Sequence, residues 1–200
     1  MDRRAFLAAA AAASLLLRRG ALAASSTSDA ESFISNLGAD AIGALTGANL
    51  SEPEREQRFR RLLESHFDLP GISKFVLARY WRVASEEERT QFQALFEKLL
   101  VQSYAKKFAE YAGERFKVSG GHANDDGSIT VNSLIDRPNG DVIRLDWRVE
   151  NAGGLKISDL IVEGVSLRTT YRSDVASVIQ NNGGKVSGLL QVLRQKTGGQ

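Results

Sequence analysis

The chain has 200 residues, 42% hydrophobic and 25% charged, a composition typical of a single globular domain. It contains no cysteine, which excludes a disulfide framework, a thiol nucleophile and a cysteine metal site. The formal net charge of +2 comes from the N-terminus: removing the four arginines and one aspartate of residues 1–23 leaves 22 basic and 23 acidic residues. A nucleic-acid partner is therefore not indicated.

Residues 1–23, MDRRAFLAAAAAASLLLRRGALA, have the layout of an export signal cleaved after Ala23. The pair Arg3 and Arg4 resembles a twin-arginine signal, and an ordinary secretory signal is the alternative. The apolar stretch that follows the pair is too short to anchor the chain in a bilayer. We expect residues 24–30 to form a flexible leader and the exported protein to reside in the periplasm.

The N-terminal half of the remaining chain is predicted to be helical. Apolar residues recur at helical spacing over residues 31–45, and a second helix starts at Ser51. A short apolar helix covers ISKFVLARYW. Ser85 and Glu88 form a capping box for a long helix, and its aromatic stripe continues until Gly113 stops it.

The second half changes to the period of a β-sheet. Four strand-like runs, RFKVSG, SITVNSLIDR, DVIRLDWRVE and LKISDLIVEG, are separated by hairpin turn signals. The third run alternates apolar with charged residues, so one face of the sheet should be apolar. Two helices close the chain. The predicted fold is α+β: a helical N-terminal half, a four-stranded antiparallel meander sheet, and C-terminal helices packed on its apolar face.

No residue pattern points to an enzyme. His66 and His122 lie far apart and lack the spacing of metal ligands, and no phosphate-binding loop or nucleophile motif is present. The run from Asp125 to Gly127 lacks the spacing of a calcium loop and is interpreted as a turn. We therefore expect no metal, no cofactor and no catalytic residues.

Two segments carry a family resemblance. The C-terminal LDWRVENAGGLKISDLIVEGVSLRTTYRSDV matches an ordered motif through Asp146, Trp147, Arg148, Lys156, Asp159, Glu163, Gly164, Ser166, Tyr171 and Arg172. The upstream connection matches through Trp81, Arg82, Ser85, Glu88, Arg89 and Phe92. Together they resemble the MlaC family of toluene-tolerance or phospholipid-binding periplasmic proteins, over roughly residues 31–195. Thr170 departs from the asparagine that the family favours, and residues 173–175 depart from its S-Q-F continuation.

The resemblance implies a lipid carrier with a single lipid-binding domain over residues 31–197. Such a carrier holds phospholipid acyl chains in an apolar cavity between sheet and helices. It shuttles lipid between an inner-membrane ABC transporter complex and an outer-membrane lipoprotein complex. The predicted cavity lining consists of Phe75, Tyr80, Trp81, Phe96, Leu99, Leu100, Tyr104, Phe116, Val131, Ile143, Leu145, Trp147 and Ile161. Arg172 is expected to form a structural ion pair with Asp159 or Glu163.

Three alternatives stay open at this point. A hopanoid-associated branch of the family (HpnM) suggests a hopanoid-type lipid as cargo. A small enzyme on a cone-shaped α+β fold would use Asp159 and Tyr104 as acid and base in an apolar pocket. An interaction protein that scaffolds a membrane complex would instead have a solid core.

Overall fold

The computed structural model describes residues 27–47 and 49–198, so the predicted export signal lies outside the described residues. The α+β fold class is confirmed, although the sheet has five strands rather than four. The α-helices are α1 (27–45), α2 (Glu52–His66), α3 (Leu69–Leu77), α4 (Glu86–Tyr104), α5 (Leu167–Asn181) and α6 (Val186–Lys196). The strands are β1 (Arg115–Ala123), β2 (Ile129–Asp136), β3 (Val142–Asn151), β4 (Leu155–Val162) and β5 (Val165–Ser166). None of the helices in the described ranges is both long and apolar enough to cross a membrane.

Helix α1 starts earlier than the sequence predicts. Residues 27–30 are already helical, although the sequence assigns them to a flexible leader. Ala30 is fully buried and packs in the same cluster as Ile34 and Leu37, at the spacing of one helix face. A buried alanine in a small, polar stretch carries little hydrophobic signal, which explains why the sequence pattern misses it.

The predicted capping box of the long helix is present, but the helix is shorter than expected. The Glu88 amide donates to Ser85 Oγ at 3.1 Å and the Ser85 amide donates to Glu88 Oε2 at 3.0 Å. Helix α4 ends at Tyr104, and a 3₁₀ segment, Ala105–Glu110, replaces the predicted continuation. In that segment Phe108 lies 5.9 Å from the Phe59 ring of α2, so the tighter winding serves a helix–helix contact.

The sheet is an antiparallel meander in the order β1-β2-β3-β4-β5. The sheet continues past Glu163 and Gly164, the last two residues of the fourth predicted run. Both have positive φ (49° and 80°), and they form a two-residue turn that returns the chain to pair with β4. Strand β5 has only two residues, too few to show an alternating pattern.

Paired residues on neighbouring strands point to the same side of the sheet, so the register assigns each residue to one of two faces. The inner face is almost entirely apolar. This face carries Phe116, Val118, Ile129, Val131, Ser133, Ile135, Ile143, Leu145, Trp147, Val149, Ile157, Leu160 and Val162. A register shift between Arg148 and Val149 changes the alternation of β4. As a result Ile161 pairs with Asp146 on the opposite face, so it does not belong to the predicted cavity wall.

The buried apolar residues form two clusters. The sheet cluster joins α1 to the inner face through Ile34, Val131, Val149 and Ile157. The helical cluster is built from α2 to α6 around Phe92 and Phe96. Helices α2, α3 and α5 contact the sheet at β4, so the helical cluster lies beside that strand.

The contact between α1 and β1 generates a prediction. A Cβ at Gly38 would overlap the ring of Phe116, whereas a Cβ at Gly43, on the same helix, would meet nothing within 4 Å. Both replacements gain helix propensity of about 1 kcal/mol. We therefore expect Gly43→Ala to raise the free energy of unfolding. In Gly38→Ala, overpacking of about 1–3 kcal/mol offsets or exceeds the same gain.

Chemical denaturation of both variants measures the difference. Equal stabilisation by the two substitutions would contradict the close packing of α1 on the sheet.

Candidate functional site

One end of the inner face carries apolar residues that belong to neither cluster. It is the end nearest the β2–β3 turn, where α1 approaches Phe116, the pairing partner of Ile135. We call these residues the apolar strip: Ile135, Ile143, Leu145, Leu160 and Val162. Leu145 is 7% exposed and the other four are half-buried. The four half-buried side chains are therefore partly accessible and could contact an apolar ligand.

Trp147 connects the apolar strip to the sheet cluster. Its indole Nε1 donates to Ser133 Oγ at 2.8 Å, and its ring meets Phe116 edge-on at 6.2 Å. Ser133 is buried and donates in turn to the Leu145 carbonyl at 3.3 Å. Since the only polar atom of the indole is satisfied within the sheet, the rest of the ring can serve as apolar surface.

A pocket of about 290 Å³ opens between α2, α3 and α4. Its lining comprises Glu64, Phe67, Leu69, Pro70, Ser73, Gln93, Phe96 and Glu97. Phe67 packs against both apolar clusters, and its backbone forms an isolated parallel bridge with Ile157 of β4. The pocket therefore lies where the helical cluster meets the sheet.

A pair of tyrosines joins α4 to α5. The Tyr171 hydroxyl donates to the Tyr104 hydroxyl at 3.1 Å, and the Tyr171 ring stands edge-on to Phe96 at 5.2 Å. Burial, and then the hydrogen bond to Tyr104, raise the pKa of Tyr171 well above its usual range. Tyr171 is thus a neutral hydrogen-bonding group among apolar side chains.

Asp159 ties α5 to β4, but through a different arginine from the one expected. Its carboxylate lies 3.4 Å from Arg168 Nε, and it accepts from Ser166 Oγ at 2.6 Å and from the Arg168 amide at 3.2 Å. The prediction that Arg172 forms this ion pair is wrong. The guanidinium groups of Arg168 and Arg172 both lie over the Phe75 ring, with Cζ 4.5 and 5.1 Å from its centroid.

Glu163 also has a different partner. Its carboxylate accepts from the Arg144 amide and lies 3.1 Å from Arg144 Nη2. The hydrogen bond from the Arg144 backbone lowers the pKa of Glu163 more than the charge of the guanidinium does. Sequence spacing favours Arg172 as the partner, because Arg172 lies nearer to Glu163 along the chain. Arg144 comes beside the β4–β5 turn only through the pairing of β3 with β4.

The predicted lining residues divide between several locations rather than sharing one wall. Phe96 and Leu100 are buried in the helical cluster, and Tyr80, Trp81, Leu99 and Tyr104 pack against it. Val131 is buried in the sheet cluster, and Phe116 and Trp147 pack against it. Leu145 and Ile143 lie in the apolar strip, and Phe75 lies beneath the two arginines.

Sequence reasoning missed the other residues of the site. Ile135 continues the regular alternation of β2, whereas the bulge in β4 conceals the alternation that places Leu160 and Val162 on this face. Phe67 and Ser73, from the chain between α2 and the middle of α3, carry no motif that would single them out.

The residues proposed for catalysis do not form one network. Asp159 is engaged by Ser166 and Arg168, whereas Tyr104 is bonded to Tyr171. Asp126, in the β1–β2 turn, accepts from Ser128 and pairs with Arg148, as expected of a turn residue. Within residues 27–47 and 49–198, no group of three or more acidic, histidine or cysteine side chains is arranged to hold a metal ion.

The chain is similar to known proteins both in sequence and in structure. The family model described as MlaC protein matches residues 39–195. The chain is 31% identical over 125 residues to the toluene tolerance protein ttg2D of Pseudomonas putida, covering 62% of this chain and 58% of that one. It is 26% identical over 139 residues to the intermembrane phospholipid transport system binding protein MlaC of Haemophilus influenzae, covering 64% and 65%. Each match thus spans less than two thirds of the relative's length.

The fold is similar to a solved lipid complex. The phospholipid-binding protein of Ralstonia solanacearum, determined with a phospholipid, superposes with a TM-score of 0.76 at 25% identity. The likeness covers 84% of this chain and 96% of that one. The helices and the sheet are therefore arranged as in a protein that binds phospholipid.

The Asp159 network generates a stability prediction. Asp159→Ala leaves Arg168, only 21% exposed, without its counter-ion and removes two hydrogen bonds. We expect a loss of about 3 kcal/mol in the free energy of unfolding, measured by urea denaturation. Glu163→Ala removes an exposed pair and should cost much less. Equal losses would contradict the assignment of Asp159 as the main tie between β4 and α5.

The tyrosine pair generates a pH prediction. Because the pKa of Tyr171 is raised in the folded state, the unfolded state loses this proton at a lower pH. The stabilising contribution is fully present below about pH 10 and is lost as the pH rises above it. We expect Tyr171→Phe to lose less stability than the wild type between about pH 9 and pH 11. Tyr80→Phe, outside the pair, is the control, and identical pH profiles for Tyr171→Phe and the wild type would contradict the account.

Proposed function

The chain belongs to the MlaC family, and on that premise we propose that it is a periplasmic carrier that binds a phospholipid and moves it between membranes. The observation that carries the proposal is the apolar strip. Its apolar side chains belong to neither hydrophobic cluster. The fold that carries them resembles that of a protein solved in complex with a phospholipid. An apolar face of this kind in an exported protein matches an apolar ligand.

The energetics require such a surface. Transferring an acyl chain from water to an apolar site is worth about 0.8 kcal/mol per CH₂, or on the order of 12 kcal/mol for a sixteen-carbon chain. A carrier has to offer a comparable free energy, or the lipid stays in its membrane. In this proposal the apolar strip and Trp147 form one wall of the site, and Leu99 and Tyr104, which are only partly buried against the helical cluster, contribute to the opposite wall.

The site needs to open for the lipid to enter and leave. The two clusters are separate hydrophobic cores, joined by Phe67 and by the contacts of α2, α3 and α5 with β4. Movement of the helical layer about this seam would widen the space above the apolar strip without breaking either core. Release then requires a docked partner that supplies an alternative apolar environment. We propose an inner-membrane transporter complex and an outer-membrane lipoprotein complex as these partners.

A phospholipid is the cargo we favour over a hopanoid. One relative is named for intermembrane phospholipid transport, and the similar solved structure contains a phospholipid. The proposed role is non-enzymatic, because binding and release of a lipid need no acid, base or nucleophile. The hydrogen-bonded groups near the site, Tyr104, Tyr171 and Asp159, then have structural roles.

Lipid loading tests the proposal. The protein, purified from its own periplasm, should show bound phospholipid in native mass spectrometry, and organic extraction should remove that added mass. We expect Leu145→Trp to abolish loading, because the larger side chain fills the space above the apolar strip. Val142→Trp introduces the same side chain on the same strand but on the opposite face, where Val142 is 51% exposed, and should load normally.

Two results would oppose the proposal. The first is a native sample with no bound lipid. The second is a Leu145→Trp variant that fails to fold while Val142→Trp folds, since that would identify Leu145 as part of a filled core.

A further inference from the structure

Two arginines of α5 share one aromatic ring of α3. Arg168 and Arg172 are four residues apart, so their side chains lie on the same face of the helix. Their guanidinium carbons are 4.5 and 5.1 Å from the centroid of the half-buried Phe75 ring. A cation–π contact positions a guanidinium group without using its N–H groups as conventional hydrogen-bond donors. The ring therefore holds two positively charged donor groups side by side.

The two arginines differ in how their charge is compensated. Arg168 pairs with Asp159, whose carboxylate lies 3.4 Å from Nε, and it donates to the Ser158 carbonyl at 3.5 Å. The Arg172 guanidinium is exposed and makes no ion pair or hydrogen bond within the described part of the chain. Like charges at this spacing on a helix repel each other, and one carboxylate neutralises only one of them. The pair therefore carries one uncompensated positive charge.

The neighbouring acidic residues do not supply the missing anion. Asp174 of α5 forms no ion pair with Arg172, and Glu163 of the β4–β5 turn is paired with an arginine of β3. Helix α3 contains no acidic residue, and the aspartate at its N-cap, two turns from the ring, accepts from a backbone amide. Lys74, next to Phe75, is exposed and adds positive charge. The surface around the ring is therefore suited to an anion.

The arginine pair lies at the edge of the sheet where the apolar strip ends. Val165 of β5 pairs with Val162 of the strip, so both point to the same side, and Val165 is 57% exposed. The chain enters α5 directly after β5, and Arg168 follows Val165 by three residues. Asp159, which holds Arg168, lies on the opposite face of the sheet. A ligand whose apolar part contacts the strip would reach the arginines with its polar end by passing around this edge.

We propose that Arg168 and Arg172, held over Phe75, bind a phosphate group, and that the phosphodiester of the carried phospholipid supplies it. The inference rests on the proposed lipid-carrier function and adds how the polar end of the lipid is held. Guanidinium groups present pairs of N–H donors that match phosphate oxygens. Free inorganic phosphate has the same chemistry and is the other source. Because Arg172 is exposed, its contribution to affinity is about two- to five-fold.

A lipid competition measures the contribution of the phosphate. Delipidated protein is incubated with phosphatidylcholine vesicles that contain equal amounts of phosphatidylglycerol and diacylglycerol with identical acyl chains. Mass spectrometry of the extracted lipids gives the ratio of bound phosphatidylglycerol to bound diacylglycerol. Arg172→Gln should lower this ratio about two- to five-fold. Arg61→Gln makes the same charge change at an exposed position of α2, away from the arginine pair, and should keep the wild-type ratio.

The outcomes separate the phosphate site from the carrier function. An unchanged ratio in Arg172→Gln, or an equal fall in Arg61→Gln, would overturn the binding of the lipid phosphate and leave the carrier intact. Failure of the wild type to load any of the lipids would instead overturn the carrier function, and with it the lipid as the source. In a separate arm, inorganic phosphate is titrated into lipid-free protein and followed by NMR of the backbone amides. Arg172-dependent binding of phosphate with an unchanged lipid ratio would assign the site to free phosphate and overturn the lipid source.

Discussion

The structure depends on how one apolar sheet face is covered. The inner face runs along β1 to β4, and α1 packs on the end that carries Val131, Val149 and Ile157. The other end, the apolar strip, remains outside both hydrophobic cores. Burying the half-exposed residues of that strip more fully would gain hydrophobic free energy, and a lipid chain is a ligand that matches them.

The separation of the two cores makes this arrangement possible. Each core has its own set of contacts: α1 packs against the sheet, and α2 to α6 pack against one another. Phe67 and the Asp159–Arg168 pair connect them on either side of β4. In the proposed carrier, a lipid bound at the apolar strip would leave the packing within each core undisturbed, which a single continuous core would not permit.

Much of the fold follows from local patterns, whereas the site depends on long-range pairing. The capping box at Ser85, the alternation along β3 and the hairpin turns predict their elements correctly. Local patterns fail at Ala30, where burial is set by the sheet, and at the two-residue strand β5. They also fail at Ile161, whose face is set by a bulge that only the pairing of β3 with β4 defines. The ion pair of Asp159 goes to Arg168 rather than Arg172 because β5 and the first turn of α5 fix the distance.

The central claim is that a lipid's acyl chains contact the apolar strip, and photocrosslinking tests it most directly. The purified protein is loaded with a phospholipid that carries a photoactivatable group on its acyl chain, irradiated, and mapped by peptide mass spectrometry. We expect adducts on the inner face, at Ile143, Leu145, Leu160 and Val162. Adducts confined to the opposite face, at Leu134 and Ile161, or the absence of adducts on lipid-loaded protein, would contradict it.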